Sequence, residues 1–191
     1  MRSGSCALRG IHARWEGIVY RRATAAVALW TWYRGEGFQG WQSQPTGRSV
    51  QDTLAAALRP WVGFARPMAA GRTDRGVHAR CQPVSVRVGH AVELSSLRSL
   101  GGDDWGWRWR CPAPAGFHAQ WSAAWKEYRY RLALGAVPRA WASLCWDVGQ
   151  EPRALGAPLD LAELQSALAA AQGARDFSAF HARRACGASA P

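Results

Sequence analysis

The chain has 191 residues and a formal net charge of +11, from 24 basic and 13 acidic side chains. A hydrophobic share of 48% suits a chain that builds a core and excludes an intrinsically disordered polymer, and no apolar run approaches the length of a membrane span. Five scattered cysteines without CxxC spacing exclude a zinc-ribbon signature and a disulfide framework. Lys126 is the one lysine, so the positive charge is almost all arginine. Arginine makes forked contacts with phosphate and stacks on bases, which makes nucleic acid the first partner to consider and an anionic membrane surface the second. No continuous apolar leader opens the chain, and the cytoplasm is the default location.

Residues 1–24 carry five arginines and one glutamate with no clear periodicity. They are expected to form an Arg-rich, disordered N-terminal extension; an RNA-binding arm, a mistaken upstream start and a transit peptide are the other readings. Val27 to Tyr33 (VALWTWY) is apolar and β-prone and predicts a buried strand. A Gly-rich loop follows, YRGEGFQGWQSQPTGRSVQ, with Phe38 and Trp41 as its anchors. Ser49 to Arg59 predicts a helix. Ser49 caps it, Asp52 accepts from the cap's own amide, Val50, Leu54, Ala57 and Leu58 share one face, and Pro60 ends it. The segment up to Pro67 returns as a strand toward Met68.

Ala70 to Ala79 reads AGRTDRGVHA. Gly71 and Gly76 permit tight turns. Between them Asp74 is flanked by Arg72 and Arg75 in a strongly basic chain. An aspartate is ionised at neutral pH, and the arginines beside it can grip a phosphodiester while the carboxylate acts on what that chain carries. The plainer reading is a polar turn closed by a surface ion pair. His78 reads as a hydrogen-bonded structural histidine before it reads as a base. From Pro83 to Val88 a half-exposed strand is expected, with Val84, Val86 and Val88 on one side and Ser85 and Arg87 on the other. Val92 to Leu100 predicts a short helix. Trp105, Trp107 and Trp109 alternate around Arg108 and precede Arg110, either as one face of a half-buried strand or as base-stacking rings.

Phe117 to Leu134, FHAQWSAAWKEYRYRLAL, reads as a strand pair in which Tyr128, Tyr130, Leu132 and Leu134 alternate with Arg129, Arg131 and Ala133. Val137 to Pro158 is loop-rich. Asp160 and Glu163 then make a capping-box pattern at the start of a second helix with a Leu161, Leu164, Leu168 stripe, and Gly173 is its expected C-cap. Phe177 and Phe180 are expected in the core.

Four of these stretches, in collinear order from about Val27 to Ala182, resemble one family. GRTDRGVHA is similar to the GRTDxGVHA signature of the TruA-type tRNA pseudouridine synthases. Tyr33 to Gln51 resembles that family's opening YDGxxFxGWQxQxxxxTVQ block, with Arg34 where the family usually has Asp. FHAQWSAAWKEYRY is similar to FHARFSAxxKxYRY, with Gln120 in place of an Arg, and GARDFSAFHA to GxHDFxxF. SLGGDDW is the poorest match, keeping Leu100 and an Asp of an NxxLPxDI-like turn. The resemblance implies an α+β fold, the pseudouridine synthase fold: two similar α/β halves with a mixed, mostly antiparallel sheet and helices on one side.

By this resemblance residues 25–115 form an N-terminal α/β domain with the signature loop, and 116–191 the beginning of a C-terminal domain whose second half is incomplete. It implies isomerisation of uridine to pseudouridine in the anticodon arm of tRNA, at positions 38 to 40, by a homodimer that uses no metal or cofactor. Asp74 matches the catalytic Asp, as nucleophile or general base. Arg72 matches the Arg that enters the space left by the extruded base, and Tyr128 the Tyr that stacks on that base. Arg75, Arg80 and Arg129 are candidate RNA contacts. A non-catalytic RNA-binding remnant is the alternative reading. A hydrolase of sugars is weaker, since no second acidic motif flanks Asp74.

Overall fold

A computed structural model of the chain describes residues 25–64, 66–88, 100–114, 116–148 and 159–180. The N-terminal extension lies outside the described residues, as does the helix expected from Val92, apart from Leu100. Two compact units divide between Glu127 and Tyr128.

The first unit is organised on β1 (Ala25–Tyr33), the middle strand of a five-stranded sheet. On one side β1 pairs with β3 (Ala79–Val88), which carries the two-residue β2 (Met68–Ala69) at its outer edge. On the other it pairs with β5 (Trp105–Ala113), edged by β4 (Gly101–Gly102). All four pairings are antiparallel. The buried strand expected at Val27–Tyr33 is therefore the centre of the sheet, paired along both edges with one register shift on each.

One helix, α1 (Val50–Val62), covers one face of that sheet. Val50, Leu54 and Leu58 of the helix are buried with Val27, Leu29, Val84, Val86 and Val88 of the strands. Burying one such aliphatic side chain stabilises by about 1.5–3 kcal/mol, and truncating Leu54 to Ala would cost about 2–5 kcal/mol with the cavity included. Ser49 caps the helix as expected, accepting from the Asp52 amide at 3.0 Å. The reciprocal half of the cap differs: the Ser49 hydroxyl donates to the Asp52 carboxylate at 2.6 Å, so Asp52 takes the side-chain proton instead of the cap's amide. The end of the helix also differs. Pro60 lies inside it, and the helix runs to Val62 before Gly63 donates to the Arg59 carbonyl at 2.9 Å. In a last turn the proline removes one ladder bond without having to be followed by further turns, so its cost is small.

The second face of the sheet is not simply exposed. Ala26, Ala28 and Ala113 are buried there with Trp30, Cys111 and Phe117 packed around them. Ser85, expected to point outward, is on this face but buried, and its hydroxyl accepts the Ala119 amide at 3.0 Å. The run of alternating tryptophans changes side partway. Trp105 pairs with Tyr33 and Trp107 with Thr31, on the helix-covered face. Trp109 pairs with Trp30 instead, because the register shifts between Trp30 and Thr31 and leaves Arg108 as the extra residue. A bulge of this kind turns every later side chain to the opposite face. Trp109 consequently stands on the second face, 43% exposed.

The second unit has β6 (Leu132–Ala133) and β7 (Trp146–Asp147) in a parallel pair, a 3-10 segment at Arg139–Leu144, and α2 (Leu161–Ala170). The strand pair expected over Phe117–Leu134 is reduced to those two residues of β6. β7 reaches this stretch only at its end, where the Trp146 amide donates to the Arg131 carbonyl at 2.8 Å beside the Leu132–Trp146 pairing. Asp160 caps α2, accepting from the Ala162 amide at 2.7 Å and the Glu163 amide at 3.2 Å. The α2 stripe is not a core stripe here: Leu161 and Leu168 are exposed. Phe177 and Phe180, expected in the core, are exposed as well and pack on each other at 6.1 Å. The Asp176 carboxylate accepts the Ser178 amide at 2.8 Å, and that bond with the Ser178 hydroxyl holds its pKa below the usual carboxylate range.

Candidate active site

The AGRTDRGVHA segment leaves β2 and enters β3, and it lies on the Gly-rich loop that follows β1. Two glycines of that loop make the contact. At Gly40 the backbone has φ 99°, and a Cβ there would sit 2.9 Å from the Thr73 carbonyl oxygen and 3.2 Å from the Asp74 carbonyl carbon. At Gly35 a Cβ would overlap the backbone of Gly76 and Val77. Only a residue without a Cβ lets two backbones approach this closely. The glycine spacing of GEGFQG thus has a mechanical meaning: it is the bed of the signature loop.

Hydrogen bonds fasten the loop to that bed. The Trp41 amide donates to the Thr73 carbonyl at 2.8 Å. The Tyr33 hydroxyl and the Thr73 Oγ1 share a bond of 2.8 Å. The Gly35 amide donates to Nδ1 of His78 at 3.3 Å, while Nε2 of His78 stands 4.0 Å from the Glu36 carboxylate. His78 is thereby a structural acceptor that ties the two loops, as the sequence suggested. Gln82 donates its amide nitrogen to the Gly71 carbonyl. Beneath them Tyr33, Phe38 and Trp41 are buried as a ring cluster, with Tyr33 6.1 Å from Phe38 and 6.3 Å from Trp41. Gln51 closes the far side: its Oε1 accepts the Ser43 amide at 3.1 Å and its Nε2 donates to the Pro67 carbonyl at 2.8 Å.

Asp74 itself is exposed at the crest of this arrangement, and its carbonyl accepts the Val77 amide at 3.2 Å. Among the described residues its carboxylate has no hydrogen-bond or ion-pair partner. The expected ion pair with Arg72 or Arg75 is therefore not formed. Both arginines are exposed. A carboxylate with fixed backbone and unoccupied oxygens is chemically available to attack an electrophilic carbon or take a proton.

Of the other expected site residues, Arg80 is exposed at the start of β3, and its carbonyl accepts Nε of Arg108 at 2.6 Å. Arg72, Asp74, Arg75 and Arg80 all belong to the first unit. Tyr128 and Arg129 open the second unit, and both are exposed there, Tyr128 at 63%. Among the described residues no group of three or more His, Cys, Asp or Glu is placed to hold a metal ion. Among the described residues Cys81, Cys111 and Cys145 are in no disulfide, and burial pushes the pKa of Cys111 up, away from a reactive thiolate. No described helix is long and apolar enough to cross a membrane.

Sequence reasoning missed Thr73, which holds the position next to Asp74 through both its carbonyl and its hydroxyl. A hydroxyl between an arginine and an aspartate in a turn was the available signal. It also missed Asp104, whose carbonyl accepts the Arg34 amide at 2.7 Å and whose carboxylate pairs with Arg48.

Over most of its length the chain is similar to tRNA pseudouridine synthase A of Ralstonia nicotianae, at 37% identity over 180 residues, covering 86% of this chain and 61% of that protein. It is similar to tRNA pseudouridine synthase A of Bordetella petrii at 36% over 162 residues, 81% of this chain and 58% of that protein. The protein of the same name from Variovorax paradoxus matches at 37% over 174 residues, 86% of this chain and 60% of its own length. The chain thus spans about three fifths of the length of these curated relatives. No family model matches it.

Proposed function

Taking as premise that this chain is a homologue of the TruA-type tRNA pseudouridine synthases, we propose that it acts in the isomerisation of uridine to pseudouridine in the anticodon arm of tRNA, at positions 38 to 40, with Asp74 as the catalytic carboxylate. The observation that carries this reading is the setting of Asp74: a loop fixed to a glycine bed and a ring cluster, presenting a carboxylate that no described side chain occupies.

In the reaction the bond between N1 of uracil and C1′ of ribose breaks, the ring turns, and a bond from C5 to C1′ forms. The proton leaves C5 and N1 gains one, so the isomer has the same atoms. Asp74 serves as the nucleophile at C1′ or at the ring, or as the base toward C5. Extruding the uridine from its stack costs roughly a few kcal/mol, which Arg72 offsets by entering the vacated space and Tyr128 by stacking on the ring. Arg75, Arg80 and Arg129 take phosphates. The reaction needs no metal or cofactor, and the working species is a cytoplasmic homodimer on tRNA.

The test is to incubate the purified chain with unmodified tRNA and map pseudouridine by carbodiimide-stop sequencing. Stops at the anticodon-arm uridines with the native chain, and none with Asp74→Asn at comparable tRNA affinity, are expected. Turnover by Asp74→Asn removes Asp74 from the mechanism. Binding without stops by the native chain points to a non-catalytic RNA-binding remnant.

A further inference from the structure

We propose that Tyr33 is a positioning residue for Asp74, acting through its hydroxyl on Thr73; this deepens the reading of Asp74 as the catalytic carboxylate and rests on it. The direction of an aspartate's Cα–Cβ bond is set by the two peptide planes on either side of its Cα. Here both planes are held. The plane before Asp74 carries the Thr73 carbonyl, fixed by the Trp41 amide at 2.8 Å. The plane after it carries the Asp74 carbonyl, fixed by the Val77 amide at 3.2 Å. Those two bonds still leave Thr73 free to rock about its own backbone, and the side-chain bond to Tyr33 at 2.8 Å removes that freedom.

Tyr33 is suited to this task by its place. It ends β1, the middle strand of the sheet, where it pairs with Ala79 of β3 and Trp105 of β5. Its ring is 1% exposed and packs against Phe38 and Trp41. The hydroxyl is therefore carried on the most constrained part of the unit and reaches a loop whose catalytic side chain is otherwise unbonded. Rotation about the side-chain bonds of Asp74 remains free, which is what a group that must meet a substrate needs.

The substitution Tyr33→Phe removes the hydroxyl and keeps the ring packing. Thr73 is partly exposed, so its hydroxyl can turn to water, and the fold should be little affected. Thr73→Val removes the other partner at nearly the same shape, and Thr73→Ser restores a hydroxyl. Single-turnover pseudouridine formation should slow about tenfold in Tyr33→Phe and in Thr73→Val, with tRNA affinity within about twofold of native, because a misplaced group loses rate before it loses binding. The double variant should be no slower than either single one, and Thr73→Ser should stay near the native rate. Unchanged rates in both single variants, or losses that multiply in the double variant, would overturn the proposal.

Amide hydrogen exchange provides a readout independent of turnover. Exchange in the 71–78 segment should rise in Tyr33→Phe while the amides of β1 and β3 keep their protection. If the native chain forms no pseudouridine, the catalytic reading fails and exchange decides the positioning alone. Equal protection of 71–78 in native chain and Tyr33→Phe then overturns it.

Discussion

Arg48 grips the carboxylate of Asp104 with both terminal nitrogens, one of them 3.2 Å from Oδ1, while its guanidinium lies 4.4 Å from the centre of the Phe38 ring. Since the Asp104 carbonyl also takes the Arg34 amide, one residue next to β5 holds both ends of the loop that beds the signature segment. Replacing Arg48 by Met should lower the unfolding free energy by about 1–2 kcal/mol, the sum of a partly exposed forked pair and a cation–π contact. Lysine at this position keeps the charge but loses the fork, so Arg48→Lys should recover less than half of the loss. Urea denaturation measures both, and full recovery by lysine would show that charge alone matters.

Gly40→Ala should damage turnover beyond its effect on stability. The added Cβ meets the backbone of Thr73 and Asp74, and the positive φ strains any other residue, for a cost of about 1–3 kcal/mol. Gly63 is the control. It also has positive φ, but a Cβ there meets nothing within 4 Å. Thermal melts should show both variants destabilised, whereas pseudouridine formation per folded molecule should fall only in Gly40→Ala. Equal specific activity in the two would detach the glycine bed from catalysis.

Arg72→Ala should reduce the rate of pseudouridine formation more than it reduces tRNA affinity. Its guanidinium is not engaged with Asp74, which leaves it available for the space vacated by an extruded base. Filter binding and single-turnover rates on the same preparations separate the two effects. Parallel losses would make Arg72 a plain phosphate contact.

Affinity for tRNA should fall linearly on a logarithmic salt scale, by about 0.7–0.9 of a decade per decade of salt for each neutralised phosphate. The motive is a formal charge of +11 borne almost wholly by arginine. A flat titration would argue against an arginine–phosphate interface.

What the sequence made legible was what depends on neighbours in the chain. The cap at Ser49, the cap at Asp160, the apolar face of α1 and the buried β1 all rest on local pattern, and all appear. What it concealed depends on residues far away in sequence. Period-2 reasoning put Trp105, Trp107 and Trp109 on one face, and the bulge at Arg108, seen only against β1, moves Trp109 to the other. Alternation across Phe117–Leu134 predicted strands, but a strand exists only against a partner, and β6 finds one for two residues. At the site, the signature loop announced Asp74 through its residue types. The bed did not announce itself, because nothing in GEGFQG says which backbone will lie against it.

The strand order β2-β3-β1-β5-β4 also governs how the first unit can form. β1 is made first, yet its partners are β3, with Ala25 opposite Val88, and β5, with Ala26 opposite Ala113. The covering helix is complete at Val62 and β3 at Val88, but β5 is complete only at Ala113, so until then AAVALWTWY has one edge unpaired. Contacts this distant in sequence slow folding, and an unpaired apolar strand is a template for association with other chains. The nascent chain therefore passes through an interval in which one edge of its most buried strand is open to association with other chains.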